Sequence, residues 1–195
     1  MSIGQGQVSV TPMSMAVMMA SVARGARVVP RLVKATSTGG PWEPVDAPPA
    51  VAPVTLKPET VAAVHDGLWM AVNGAGTAVR ARIAGRDVAG KTGTAQVISN
   101  QGRERARNSG KDLRDHGWFV FMVPKENPEL AGVIFAEHGE HGYFAAPIAR
   151  HIIETYYARK EGRPLPVMAA PAAPARPATA AVATAATDGG GDERR

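Results

Sequence analysis

Met13, Met15, Val17, Met18, Met19 and Val22 leave so little polar surface between them that a helix is predicted over 13–23, buried on most sides. Thr11 is placed to cap it, Pro12 suits the first helical position, and Gly25 is a natural stop. Further along, Val61, Val64, Leu68 and Val72 repeat at three-four spacing, the stripe of a helix opened by Pro58 and Glu59 and closed by Asn73-Gly74. The period then changes. The runs 118–123 and 130–136 are almost continuously apolar, as strands covered on both faces are, and Pro124-Lys125-Glu126-Asn127-Pro128 between them has hairpin chemistry. A last helix, over 145–160, gathers Ala145, Ile148, Ala149, Ile152, Ile153 and Tyr156 on one face and leaves Arg150, Glu154 and Arg159 outside. The stretch 28–33 reads as a short edge strand, because Pro30 cannot donate to a ladder. Residues 36–53 and 101–115 read as surface connections, and 1–10 as an irregular strand or loop.

These elements predict an α+β fold: an antiparallel sheet of about three core strands with helices on both faces, in one unit over 1–160. Residues 161–195 are Pro, Ala and Thr with little to bury, and read as a disordered tail. With 195 residues and 45% apolar content the chain has enough for one core. The absence of cysteine excludes a disulfide framework and a thiolate metal site. No segment reads as an export signal or a membrane span, since 13–23 is too short.

Two features of charge suggest chemistry and fail to carry it. Arg103, Arg105 and Arg107 contribute to the net charge of +5, but Glu104 interrupts them and no aromatic is interleaved. They read as a solvated loop, not a nucleic-acid surface. Glu137-His138-Gly139-Glu140-His141 holds two imidazoles and two carboxylates, yet Gly139 breaks the helix that H-E-x-x-H metal binding requires. No metal and no cofactor are expected there.

Lys91-Thr92-Gly93-Thr94 is the segment with a specific chemical use. On a strand edge, a cation, a hydroxyl and a residue without a side chain can grip an extended peptide while an oxyanion forms beside it. K-T-G is the third element of serine acyl-transfer sites that also need S-x-x-K and S-x-N. Neither of those occurs in this sequence; the nearest approach, Ser21-Val22-Ala23-Arg24, ends in a residue that stays protonated and cannot act as a base.

Five ordered blocks then extend the match. Ser2-Ile3-Gly4-Gln5-Gly6, the Thr11-Pro12 cap, Asn73 to Ala78, Gly90-Lys91-Thr92-Gly93-Thr94-Ala95-Gln96 and Arg114-Asp115-His116-Gly117-Trp118-Phe119 together resemble class B penicillin-binding proteins, above all the peptidoglycan transpeptidases of cell elongation. The resemblance covers the C-terminal half of that family's transpeptidase domain, a β-lactamase-like fold. It implies that Lys91 stands beside the nucleophile, that Thr92 and Thr94 offer hydroxyls to the terminal carboxylate of a D-Ala-D-Ala stem peptide or a β-lactam, and that the Thr94 N–H forms half of an oxyanion hole. It implies as partners the serine-bearing N-terminal half of the domain and proteins of the elongation machinery, and as location the periplasmic face of the inner membrane. Lacking the nucleophile, the chain is expected to be a fragment, inactive and marginally stable by itself, its membrane anchor lying elsewhere. A non-catalytic remnant or interaction module is the other reading, and a basic nucleic-acid binder the third.

Overall fold

The computed structural model describes residues 8–46, 56–105 and 108–168. Helix α1 (Pro12–Arg24) starts as its sequence dictates: the Thr11 hydroxyl accepts the Ser14 N–H at 3.1 Å, and Gly25 ends the helix at φ 61°. The strand expected over 28–33 does not form. Pairing falls instead between β1 (Ala35–Thr36) and β2 (Glu43–Pro44), either side of a local turn in which the Ser37 hydroxyl donates to the Gly40 carbonyl at 2.6 Å. With Pro30 lacking a donor, the nearest two segments that could close a hairpin were the ones flanking that turn.

Helix α2 (Pro58–Asn73) ends under Arg82, whose guanidinium donates to the carbonyls of Val72, Asn73 and Gly74 at 3.3, 2.6 and 2.9 Å. A cation on the last carbonyls satisfies groups the helix cannot and opposes its dipole. The remaining elements are β3 (Ala89–Ala95), a short α3 (Asn100–Arg105) inside what the sequence suggested was loop, β4 (His116–Val123), β5 (Leu130–Ala136) and α4 (Gly142–Lys160). Residues 1–7, 47–55, 106–107 and the tail beyond 168 lie outside the described residues, Arg107 of the basic cluster among them.

The fold is α+β. Its sheet is antiparallel in the order β3-β4-β5, and the register puts Lys91 opposite Val120, Gly93 opposite Trp118 and Thr94 opposite Gly117. Strand alternation then divides the core. Phe119, Phe121 and Val123 bury against Ala145, Ala146, Ala149, Ile153 and Tyr157 of α4. On the opposite face Ala89, Val120 and Met122 bury against Met19 of α1, with Leu68 and Trp69 of α2 alongside.

Two expectations about burial are corrected. Helix α1 is not enclosed: Met19 is its one fully buried residue, while Met13 and Met18 are 58% and 41% exposed. The helix lies with one side on the sheet, so only one stripe of its apolar surface is used. In α4 the buried stripe runs through Ala145, Ala149, Ile153 and Tyr157, leaving Ile148 and Ile152 outside. Alanines let the helix approach the phenylalanine rings closely, which rotates the larger isoleucines away.

The far end of α4 is pinned electrostatically. Lys160 pairs with Glu129, and Arg163 and Arg86 hold Glu161 from two sides. Lys160 keeps the Glu129 carboxyl below its ordinary range, and Arg163 with Arg86 does the same for Glu161. A depressed carboxyl contributes stability that is present above the ordinary carboxyl range and is lost as pH falls through the lowered value. Amides of residues 156–163 are therefore expected to lose protection, measured against the intrinsic exchange rate at each pH, below about pH 4. Protection there that holds unchanged to about pH 2 would contradict the role of these pairs.

Candidate functional site

The chain from α2 into β3 is tied down by side chains. Asn73 Nδ2 donates to the Val88 carbonyl at 2.8 Å and Trp69 Nε1 to Asp87 at 3.2 Å, while the hydroxyls of Thr77 and Thr92 are hydrogen-bonded to each other at 2.6 Å. These bonds fix where β3 begins and how it is rotated. Among the described strands β3 pairs with β4 alone, so one edge of the Lys91–Thr94 stretch faces no other strand. An edge of this kind is a template for an added peptide.

Lys91 is exposed and its Nζ donates to the Thr92 carbonyl at 2.8 Å. It stands at the lip of a groove of about 310 Å³ between α1 and the sheet, walled by Met15, Met19, Leu68, Trp118 and Val120. A second groove of about 450 Å³ continues past Thr94, sharing Met15, Gly93 and Trp118 and adding His116 and Phe135. Trp118 and Phe135 meet with ring centroids 4.5 Å apart. A roomier cavity, about 640 Å³, lies between the turn at Gly85 and the end of α4, and contains none of the K-T-G residues. Size is a poor guide here, since that cavity is bordered by cations already paired with Glu161.

The four residues singled out in the sequence come together as one strand, though not on one face. Register places Lys91 and Gly93 toward α1, and Thr92 and Thr94 toward α4. The Thr92 hydroxyl is engaged by Thr77, a partner that sequence spacing did not reveal.

Two glycines in β3 differ in what they require. A Cβ on Gly90 would stand 2.6 Å from both the Phe119 ring and the Val120 carbonyl, whereas one on Gly93 would meet only the Trp118 Cβ, at 3.4 Å. Packing within the chain therefore demands glycine at 90 and not at 93. Gly90→Ala is expected to cost about 1–3 kcal/mol, seen as a lowered midpoint by calorimetry, and Gly93→Ala to melt close to the wild type. Equal losses would show that Gly93 is also held by packing.

Residues 137–141 form a turn between β5 and α4. His138 and Glu140 take positive φ values of 52° and 61°. Their backbone N–H groups are bonded to His116 Nδ1 at 2.9 Å and to the Asp115 carbonyl at 2.8 Å, and His138 Nδ1 meets the Arg114 carbonyl at 3.0 Å. Arg114 forks onto Asp112 and holds that carboxyl far below its usual range. Among the described residues no three ligating side chains are grouped to hold a metal ion, and no helix is long and apolar enough to cross a membrane.

Residues 1–154 match the penicillin binding protein transpeptidase domain, and the chain belongs to that family. It is similar to peptidoglycan D,D-transpeptidase MrdA of Acinetobacter baumannii, 31% identical over 168 residues, and of Haemophilus influenzae, 35% identical over 162. These matches cover 84% and 79% of the chain but 25% of each relative, so the chain spans about a quarter of the length of the curated relatives it matches. Among solved structures, penicillin-binding protein 2 of Pseudomonas aeruginosa in complex with WCK 5153 superposes with TM-score 0.63 at 32% identity, over 83% of this chain and 32% of the other. The imipenem acyl-enzyme of penicillin-binding protein A from Mycobacterium tuberculosis gives TM-score 0.62 at 26% identity, over 78% and 32%. The complex of penicillin-binding protein 2 with MreC from Helicobacter pylori gives 0.58 at 25%, over 80% and 26%.

Proposed function

We propose that this chain supplies the substrate-gripping wall of a serine D,D-transpeptidase of peptidoglycan synthesis, of the elongation type, and that the attacking serine is provided by a polypeptide outside this sequence. The observation that carries this reading is the Lys91–Thr94 strand: one edge unpaired by any described strand, the lysine exposed at the lip of an apolar groove. In the reaction a serine hydroxyl adds to the carbonyl of the penultimate D-Ala, the amide C–N bond breaks, and the terminal D-Ala leaves with a proton. An amine from a neighbouring stem then displaces the serine. Lys91 directs the proton and draws the anionic terminus, Thr92 and Thr94 present donors to the carboxylate, Gly93 leaves the backbone approachable, and the Thr94 N–H faces the developing oxyanion.

The apolar groove beside Lys91 is where the serine-bearing half of the domain packs, with residues 1–160 as the transpeptidase portion and 161–195 as the tail. Relatives complexed with imipenem and with MreC support a β-lactam as ligand and an elongation protein as partner. The working location is the periplasmic face of the membrane. The test is fluorescent penicillin labelling: none with this chain alone, and a covalent adduct when it is co-expressed with a polypeptide carrying S-x-x-K and S-x-N. Labelling of the chain by itself, or no labelling of the assembled pair, would refute the reading.

A further inference from the structure

We infer that His116 is a positioning residue for the Lys91–Thr94 strand, acting through the turn that leads into α4; its functional meaning rests on the transpeptidase reading above. Gly142, the first residue of α4, lies directly on the strand. A Cβ there would stand 2.5 Å from the Gly93 carbonyl oxygen, 2.7 Å from the Gly93 nitrogen and 2.3 Å from the Trp118 carbonyl oxygen. The His141 carbonyl in turn covers Gly117, with 2.8 Å to a Cβ built on that residue. The backbone at 141–142 is thus the rear support of Gly93, and displacing it moves the peptide group that precedes Thr94.

That support hangs on a turn with two non-glycine residues at positive φ, a conformation that costs free energy unless neighbouring bonds enforce it. His116 enforces it: Nδ1 accepts the His138 N–H at 2.9 Å, reaching across 22 residues from β4. A neutral imidazole whose Nδ1 accepts must carry its hydrogen on Nε2, so the bond also selects the tautomer. The ring is held edge-on to Phe135 at 5.0 Å and lies 4.9 Å from the His138 ring, leaving it little freedom to turn away.

The experiment compares His116→Phe, which keeps an aromatic ring against Phe135 but removes the acceptor, with His116→Asn, whose Oδ1 can take the place of Nδ1. Amide exchange is read by NMR on the full chain. In H116F the amides of His138 and Gly93 are expected to exchange about tenfold faster, the loss of one partly buried hydrogen bond, while Val120 to Met122 stay protected; H116N should remain near wild type. The ¹⁵N shift of Nδ1 in the wild type should be that of an unprotonated acceptor. Faster exchange spread equally through β4, no rescue by asparagine, or a proton on Nδ1 would overturn the inference. Intact exchange behaviour in a protein that fails penicillin labelling after assembly would sink the transpeptidase reading and leave the clamp standing.

Discussion

Replacing Lys91 with alanine, in a domain assembled with its serine-bearing portion, is expected to lower the rate of penicillin acylation by about 10²- to 10⁴-fold, the usual contribution of a positioned proton-transfer group. Stability should not follow. The lysine is exposed, and its side chain donates to the carbonyl of the next residue, a contact that supports nothing else. Arginine should rescue poorly, because a planar guanidinium is bulkier than an ammonium and does not exchange its proton. Single-turnover acylation beside a melting curve decides the matter: an unchanged rate would place the proton-transfer group elsewhere, and a lowered midpoint would make Lys91 structural.

Phe119→Ala is expected to have the opposite signature. Phe119 is the largest fully buried side chain among the described residues, at 0% exposure, and its ring fills the space over Gly90 between β3 and α4. Removing it should cost about 3–5 kcal/mol, a large part of the roughly 5–15 kcal/mol that holds a typical domain together. Chemical denaturation reads this directly, and a loss under about 1 kcal/mol would mean that the α4 side of the sheet collapses to fill the void. Phe135→Ala, at a ring already 38% exposed, provides the comparison and should lose less.

Local chemistry was legible in the sequence wherever the cause lies within a few residues. The Thr11-Pro12 cap, the span of α2, the apolar runs of β4 and β5 and the K-T-G strand all appear where the pattern puts them, though of the α2 stripe Val72 is buried and Val64 is exposed. Misreadings arose where a distant partner decides. Whether α1 is enclosed depends on what lies on its outer side, and which residues of α4 face inward depends on the phenylalanines of β4, both invisible to periodicity. The same holds for the site. Lys91 and its neighbours could be named from their order, but the Thr77 hydroxyl on Thr92, the Arg82 cap on α2 and the His116 bond to His138 join residues up to 22 apart with no shared local signal. An isolated imidazole at the start of an apolar strand carries no mark of what it accepts from.

The strand that faces the groove is thin. Directly behind Gly93 lies the bare backbone of Gly142. Any residue larger than glycine at 142 pushes on the Lys91–Thr94 strand from the rear, so the shape of that strand's open edge is set as much by the first turn of the last helix as by the K-T-G residues themselves.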